Sequence, residues 1–262
     1  LIKKFNIKSY AKVNIFLKIA GKRDNYHELV SRFVRVKNLY DTITFLPNNE
    51  INDFNLIGEF GCETKKNTIY KAFLALRNNC PKIDAYFRVY SIKVEKNIPE
   101  CAGLGGGSSN AAAFLILANE VFDLNYSKDR LARMGLKVGA DVPFFIYEYD
   151  SANVTGIGEK VERFDENTLE VETFTPNIQC NTGEIFTKFR DEFYKEISDT
   201  KAQELLTKTS VDILEELNIN DANDLYESAV NLKPELKEYE KPNWFFSGSG
   251  SSFFTIKQNE MR

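Results

Sequence analysis

The 262-residue sequence predicts an α+β fold in two lobes, residues 1–150 and 151–262. Three observations lead to that reading. The first fifty residues carry runs in which apolar and polar side chains alternate, the pattern of strands. Residues 98–112, IPECAGLGGGSSNAA, set a glycine-rich loop between a strand-like run and an alanine-rich apolar helix. Beyond about residue 150, polar linkers separate several helical segments that lead to two aromatic strands, an irregular order that fits α+β better than regular βαβ alternation.

Taken in order, residues 5–19 form the first strand, with Val13, Ile15 and Leu17 alternating with Lys12, Asn14 and Phe16. A turn over 21–26 leads to a second extended stretch at 29–36, and 41–46 is a third strand closed by Pro47-Asn48-Asn49. Asn67 caps a helix whose Ile69, Ala72, Phe73 and Leu76 share one face. Residues 85–94 read as a strand. Ser108 or Ser109 caps a helix over residues 110–122, and Ser127 caps another that Gly139 stops. Pro143 to Tyr147 is a short apolar run expected as a buried strand. Segments 184–195, 199–208, 211–217 and 221–232 read as helices, and 244–246 and 253–256 as strands flanking Ser247-Gly248-Ser249-Gly250-Ser251.

Composition narrows the function classes. Hydrophobic residues make up 43% and charged residues 27%, which is ordinary globular composition. The formal net charge is −4, without the basic stripe of a nucleic-acid footprint. Four cysteines at irregular spacing, with no C-x-x-C pair, point to reduced thiols rather than a zinc site or a disulfide framework. No run of 18 apolar residues occurs. The expectation is a cytoplasmic protein with no membrane or nucleic-acid partner, a monomer or weak homodimer.

The glycine loop carries the first functional signal. Glycine costs about 0.5–1 kcal/mol relative to alanine inside a regular element. Gly103, Gly105, Gly106 and Gly107 together therefore point to something that approaches the backbone. Amides at a helix N-terminus, with the helix dipole behind them, hold anions, and the order strand, loop, capped helix places them there. A flexible turn ahead of a buried helix is the other reading of these residues. The loop is neither G-x-x-x-x-G-K-[ST] nor a full G-x-G-x-x-G, since Ser108 stands where the third glycine belongs.

The loop resembles the second motif of the GHMP kinases, the small-molecule kinases named after galactokinase, homoserine kinase, mevalonate kinase and phosphomevalonate kinase. Ala11-Lys12-Val13-Asn14-Ile15-Phe16-Leu17, Tyr26-His27-Glu28-Leu29, Gly139-Ala140-Asp141-Val142-Pro143-Phe144 and Gly156-Ile157-Gly158-Glu159-Lys160 narrow the likeness. They match the family that phosphorylates the 2-hydroxyl of 4-diphosphocytidyl-2-C-methyl-D-erythritol in the non-mevalonate route to isoprenoids. The matches run over nearly the whole chain. Glu100-Cys101-Ala102 departs from the family's usual glycine-containing lead-in.

The resemblance implies an ATP-binding lobe and a ferredoxin-like substrate lobe with a cleft between them. It implies Asp141 as base and Lys12 as its partner and charge stabiliser. ATP would lie along Pro99, Ala102, Gly103, Leu104, Gly105, Gly106, Gly107, Ser108 and Ser109, with Mg²⁺ as companion and no protein metal cage. Asn14, Tyr26, His27 and Phe186 would receive the cytidyl substrate, the base stacking between Tyr26 and Phe186 while His27 reads its edge. A kinase for another alcohol, a catalytically silent nucleotide binder and an RNA-binding module are the competing readings. The Tyr26-His27-Glu28 signature, the presence of both Lys12 and Asp141, and the acidic balance argue against them in turn.

Overall fold

The structure, a computed structural model, describes residues 5–23, 26–48 and 54–257, with Tyr26 described by its backbone alone. The chain forms two compact units interleaved along the sequence. The first takes residues up to Ala11, Leu39–Ile98 and Gly106–Glu148; the second takes Lys12–Asn38, Pro99–Gly105 and the chain from Tyr149 onward. Strands β1 (Asn6–Arg23) and β2 (Tyr26–Pro47) contribute residues to both.

The first unit adds β3 (Leu56–Ile57), α1 (Thr68–Arg77), α2 (Ile83–Tyr86), β4 (Tyr90–Glu95), α3 (Gly106–Val121), α4 (Lys128–Leu136) and α5 (Val142–Tyr147). The later half of β2 pairs antiparallel with β4, Ile43 opposite Val94 and Phe45 opposite Ile92. β3 pairs with β4 in parallel. Phe45, Phe87 and Phe114 form the aromatic centre of this core, with Phe87 5.2 Å edge-on to Phe45 and 5.3 Å from Phe114. The caps expected at Asn67 and Ser127 are present, each side chain accepting from a backbone amide of the first turn.

The second unit adds β5 (Ser151–Gly156), β6 (Lys160–Arg163), β7 (Val171–Phe174), α6 (Thr182–Lys188), α7 (Asp199–Thr207), α8 (Ser210–Glu216), α9 (Ile219–Ala222), α10 (Tyr226–Leu232), β8 (Phe245–Phe246) and β9 (Phe253–Ile256). The earlier half of β2 pairs antiparallel with β5, Phe33 opposite Ala152, and β5 pairs with β6. β9 lies between β7 and β8, antiparallel to both. Arg32 is fully buried here. Its guanidinium donates to Asn153 Oδ1 at 2.9 Å, Lys208 O at 2.7 Å and Leu206 O at 3.0 Å, satisfying carbonyls that the end of α7 leaves open. Burial pulls its pKa down to about 10, so it stays charged at neutral pH.

Several elements differ from the sequence expectation. Residues 29–36 and 41–46 belong to one strand, because Asp41 does not end it: the buried carboxylate accepts from Asn97 N at 2.6 Å, Ile98 N at 2.8 Å and Lys96 Nζ at 2.5 Å. The strand expected at 85–94 begins only at Tyr90, after the short α2. Pro143 to Tyr147 is helical, with proline in the first turn where its fixed φ suits a helix. Short apolar runs do not reveal their own period. α3 starts at Gly106, so Ser108 and Ser109 lie inside its first turn rather than at its cap. The helix expected over 221–232 breaks at Asn223, which has extended backbone at φ −136°, ψ 110°.

Candidate active site

In the second unit the site begins at Lys12, 4% exposed on β1. Alternation along the strand puts Asn14 on the same face. Lys12 Nζ donates to Asn14 Oδ1 at 2.6 Å and to the Gly103 carbonyl at 2.9 Å, and lies 4.8 Å from the centre of the Phe33 ring. Asn14 Nδ2 donates to Ser31 Oγ at 3.0 Å, and that hydroxyl donates to Phe16 O at 2.5 Å. The ammonium thus sits in a buried cage of dipoles and a ring face.

The glycine loop presents its backbone in a particular way. Ala102 O accepts from Ser252 N at 3.1 Å, Gly103 O from Ser247 Oγ at 3.0 Å as well as from Lys12, and Leu104 O from Lys12 N at 3.0 Å. Three successive carbonyls therefore face the protein. In a trans peptide the N–H runs antiparallel to the C=O, so the amides of Gly103, Leu104 and Gly105 turn the other way. Left-handed backbone at Cys101 (φ 53°), Gly103 (φ 73°) and Gly105 (φ 69°) alternates with ordinary residues, the arrangement of an anion-binding nest. The side chains of Ala102 and Leu104 are buried and pin the loop, while Pro99 is exposed. A Cβ on Gly103 would stand 2.0 Å from Ser247 O. Cys101 takes a left-handed conformation that glycine would reach without strain.

His27, near the start of β2, packs face to face with Phe186 of α6, ring centres 5.4 Å apart and 25° from parallel. Phe189 meets the imidazole edge-on at 5.8 Å, and Tyr194 lies at 6.1 Å. Nε2 is buried and has no hydrogen-bond partner among the described residues. Burial, then the charges of Lys22 and Arg190, hold the imidazole pKa below its ordinary value, so the ring is neutral at pH 7. The structure thus brings together two residues chosen from sequence for one substrate. The Tyr26 ring, the third member, lies outside the described residues.

In the first unit the loop runs into α3, a 16-residue helix whose first turn holds Gly106, Gly107, Ser108 and Ser109. Ser9 Oγ lies 2.7 Å from both Ser109 Oγ and Asn110 Oδ1, so Ser109 is tied to β1. Thr68 Oγ1 donates to Gly107 O at 2.6 Å. Ser108 is half-buried, and a Cβ on Gly139 would stand 3.5 Å from its hydroxyl. Asp141, also half-buried, directly precedes α5 and makes no capping bond. Sequence reasoning passed over Asp41, Ser9 and Ser31. Each is a polar residue in a strand whose partner lies far along the chain or on a neighbouring strand, and period-2 patterning carries no such signal.

Comparison with known proteins shows the family. Residues 67–149 match the model of the GHMP kinases N terminal domain. A protein of Sulfurimonas denitrificans named 4-diphosphocytidyl-2-C-methyl-D-erythritol kinase is 49% identical over 258 residues, covering 97% of each chain. One of the same name from Sulfurovum sp. is 44% identical, over 97% of this chain and 99% of its own. A crystal structure of 4-(cytidine 5'-diphospho)-2C-methyl-D-erythritol kinase superposes with a TM-score of 0.72 at 28% identity, covering 97% of this chain and 90% of that one. The domain match, these relatives and the solved structure define the chain as a GHMP-type small-molecule kinase. Within that class, the chain belongs to the 4-diphosphocytidyl-2-C-methyl-D-erythritol kinase family. Among the described residues, no helix is long and apolar enough to cross a membrane.

Proposed function

We propose that this chain transfers the γ-phosphoryl group of ATP to the 2-hydroxyl of 4-diphosphocytidyl-2-C-methyl-D-erythritol, giving the 2-phosphate and ADP in the non-mevalonate route to isoprenoids. The observation that carries the chemistry, in a chain of this family, is a buried ammonium fixed on the carbonyl of an amide-presenting loop. Residues 1–150 serve as the ATP-binding domain and 151–262 as the C-terminal domain. The protein works in the cytoplasm as a monomer or weak homodimer, on small molecules alone.

Phosphoryl transfer needs positioning and electrostatic stabilisation more than covalent help from the protein. The amides of Gly103 to Ser109 hold the phosphates, with Pro99, Ala102 and Leu104 shaping the loop. Lys12 stabilises charge on the moving phosphoryl group, and Asp141 orients the acceptor hydroxyl and takes its proton. Asn14 contacts the acceptor. His27, Phe186 and Tyr26 receive cytosine, the neutral imidazole offering an edge that can accept or donate. Among the described residues no group of three or more His, Cys, Asp or Glu could hold a metal. Mg²⁺ would arrive with the nucleotide, keeping phosphate and water ligands. When bound, Mg²⁺ neutralises phosphate charge.

The test is ADP release with ATP and the cytidyl compound, beside homoserine and mevalonate. Turnover is expected with the cytidyl compound alone. Asp141→Asn is expected to retain ATP binding and lose on the order of 10²–10⁴ in kcat, the range for an acid–base group. Near-normal turnover in that variant removes Asp141 from its role.

A further inference from the structure

We propose that Asn223 is a positioning residue that sets the Lys12–Gly103 pair through the buried turn at Ser247–Ser251; the inference rests on the kinase reading above. Asn223 is 2% exposed and sits at the break between α9 and α10. Its Nδ2 donates to Phe246 O at 2.9 Å and Gly248 O at 2.8 Å, while Oδ1 accepts from Leu225 N at 2.9 Å. Every polar atom of the side chain is used. The two carbonyls flank Ser247, so the amide grips the turn on either side of the residue whose hydroxyl reaches the Gly103 carbonyl at 3.0 Å.

That carbonyl is the one Lys12 Nζ donates to. The turn also presses on the site directly: a Cβ on Gly248 would stand 3.1 Å from Gly103 O and 3.3 Å from Asn14 Oδ1, the other acceptor of the ammonium. The same segment reaches β1. Asn223 forms a parallel bridge with Leu17, and the next residue, Asp224, donates its amide to Leu17 O at 2.9 Å and accepts from Ile19 N at 2.9 Å. Lys18 pairs with the Asp224 carboxylate, which is fully buried. Asn223 and Asp224 therefore hold both elements that fix Lys12: the strand that carries it and the turn that supports its acceptor. A continuous helix over 221–232 would turn this side chain away from one of them.

The network predicts a change in catalytic parameters beyond a change in stability. Asn223→Ser keeps a small polar residue and removes both donors to the turn; Ser247→Ala removes only the bond to Gly103 and keeps the turn's fold. Each protein is assayed for kcat per ATP-binding site and for KM of ATP and of the cytidyl substrate. Asn223→Ser is expected to lower kcat per site at least tenfold and raise KM for ATP about threefold or more, with KM for the cytidyl substrate within twofold. Ser247→Ala should shift the same two parameters in the same direction, by less. Lost active protein alone leaves both KM values and kcat per site unmoved, and that result in both variants, with or without a lower Tm, overturns the inference. Wild-type enzyme silent with the cytidyl compound overturns the kinase reading instead. In that event the inference is judged by amide hydrogen exchange at 103–105, which Asn223→Ser must accelerate and whose invariance refutes it.

Discussion

Two loops of nearly the same composition behave in opposite ways. Apart from Leu104, Gly103 to Ser109 and Ser247 to Ser251 are glycine and serine, and by composition alone either would make a flexible binding loop. The first exposes Gly107 and leaves Gly103, Gly105, Gly106 and Ser108 partly open. In the second, Ser247, Ser249 and Ser251 are 0%, 6% and 1% exposed. The first turns its carbonyls to the protein and its amides the other way; the second spends its polar groups on the protein, Ser247 on Gly103 and Ser249 on Thr182. The lesson is that glycine and serine in series mark close approach, and burial decides whether the neighbour is a ligand or another segment of the same chain.

Substitutions can break this contrast. The largest effect belongs to Gly103→Ala, whose Cβ meets the Ser247 carbonyl at 2.0 Å and whose φ is left-handed. Displacing the loop by the better part of an ångström is expected to cost about 10²-fold or more in kcat/KM, measured by ADP release. Gly250→Ala places a methyl 2.0 Å from the Phe246 ring, also at positive φ. Here the loss is expected in stability, about 3 kcal/mol from overpacking and strain, read as a lower denaturant midpoint.

A smaller effect concerns His27, whose pKa lies below 6.5. KM for the cytidyl substrate is expected to stay level above pH 6.5 and rise as pH falls through the lowered pKa, while KM for ATP holds; His27→Ala should abolish the difference. The sign for stability is the same. Just below pH 6.5 the unfolded chain binds more protons than the folded one, so the imidazole's contribution is full above that pH and is lost as pH drops. The smallest change is Ser109→Ala. It removes one internal hydroxyl bond and is expected to cost about 1 kcal/mol with ATP affinity nearly unchanged. A large rise in KM for ATP would instead assign Ser109 to the nucleotide.

What could be read from sequence follows the range of the interactions. The caps at Asn67 and Ser127 and the strands at 245–246 and 253–256 rest on local chemistry and were legible. The α5 segment was not, because five apolar residues bear no measurable period and proline there opens a helix instead of edging a sheet. Asn223 was hidden because two helices share one apolar pattern across it, and only its distant partners, Phe246 and Gly248, reveal the break. In the site, Lys12 and the glycine loop announced themselves by residue type. Their supports, Ser31 and Ser247, did not, since a serine carries the same local signal whether it caps, supports or faces water.

The interleaving of the two units also governs how the chain is made. The bond from Ser247 to Gly103 spans 144 residues. At about 5–20 residues per second on the ribosome, the glycine loop emerges and waits on the order of ten seconds before its supporting turn is synthesised. A nascent chain halted at residue 150 carries every residue of the first unit but leaves the second without the strands β5 to β9. The kinase centre is therefore assembled after most of the polypeptide has left the exit tunnel, and until then the nascent chain is a client for whatever shields apolar strands at the tunnel mouth.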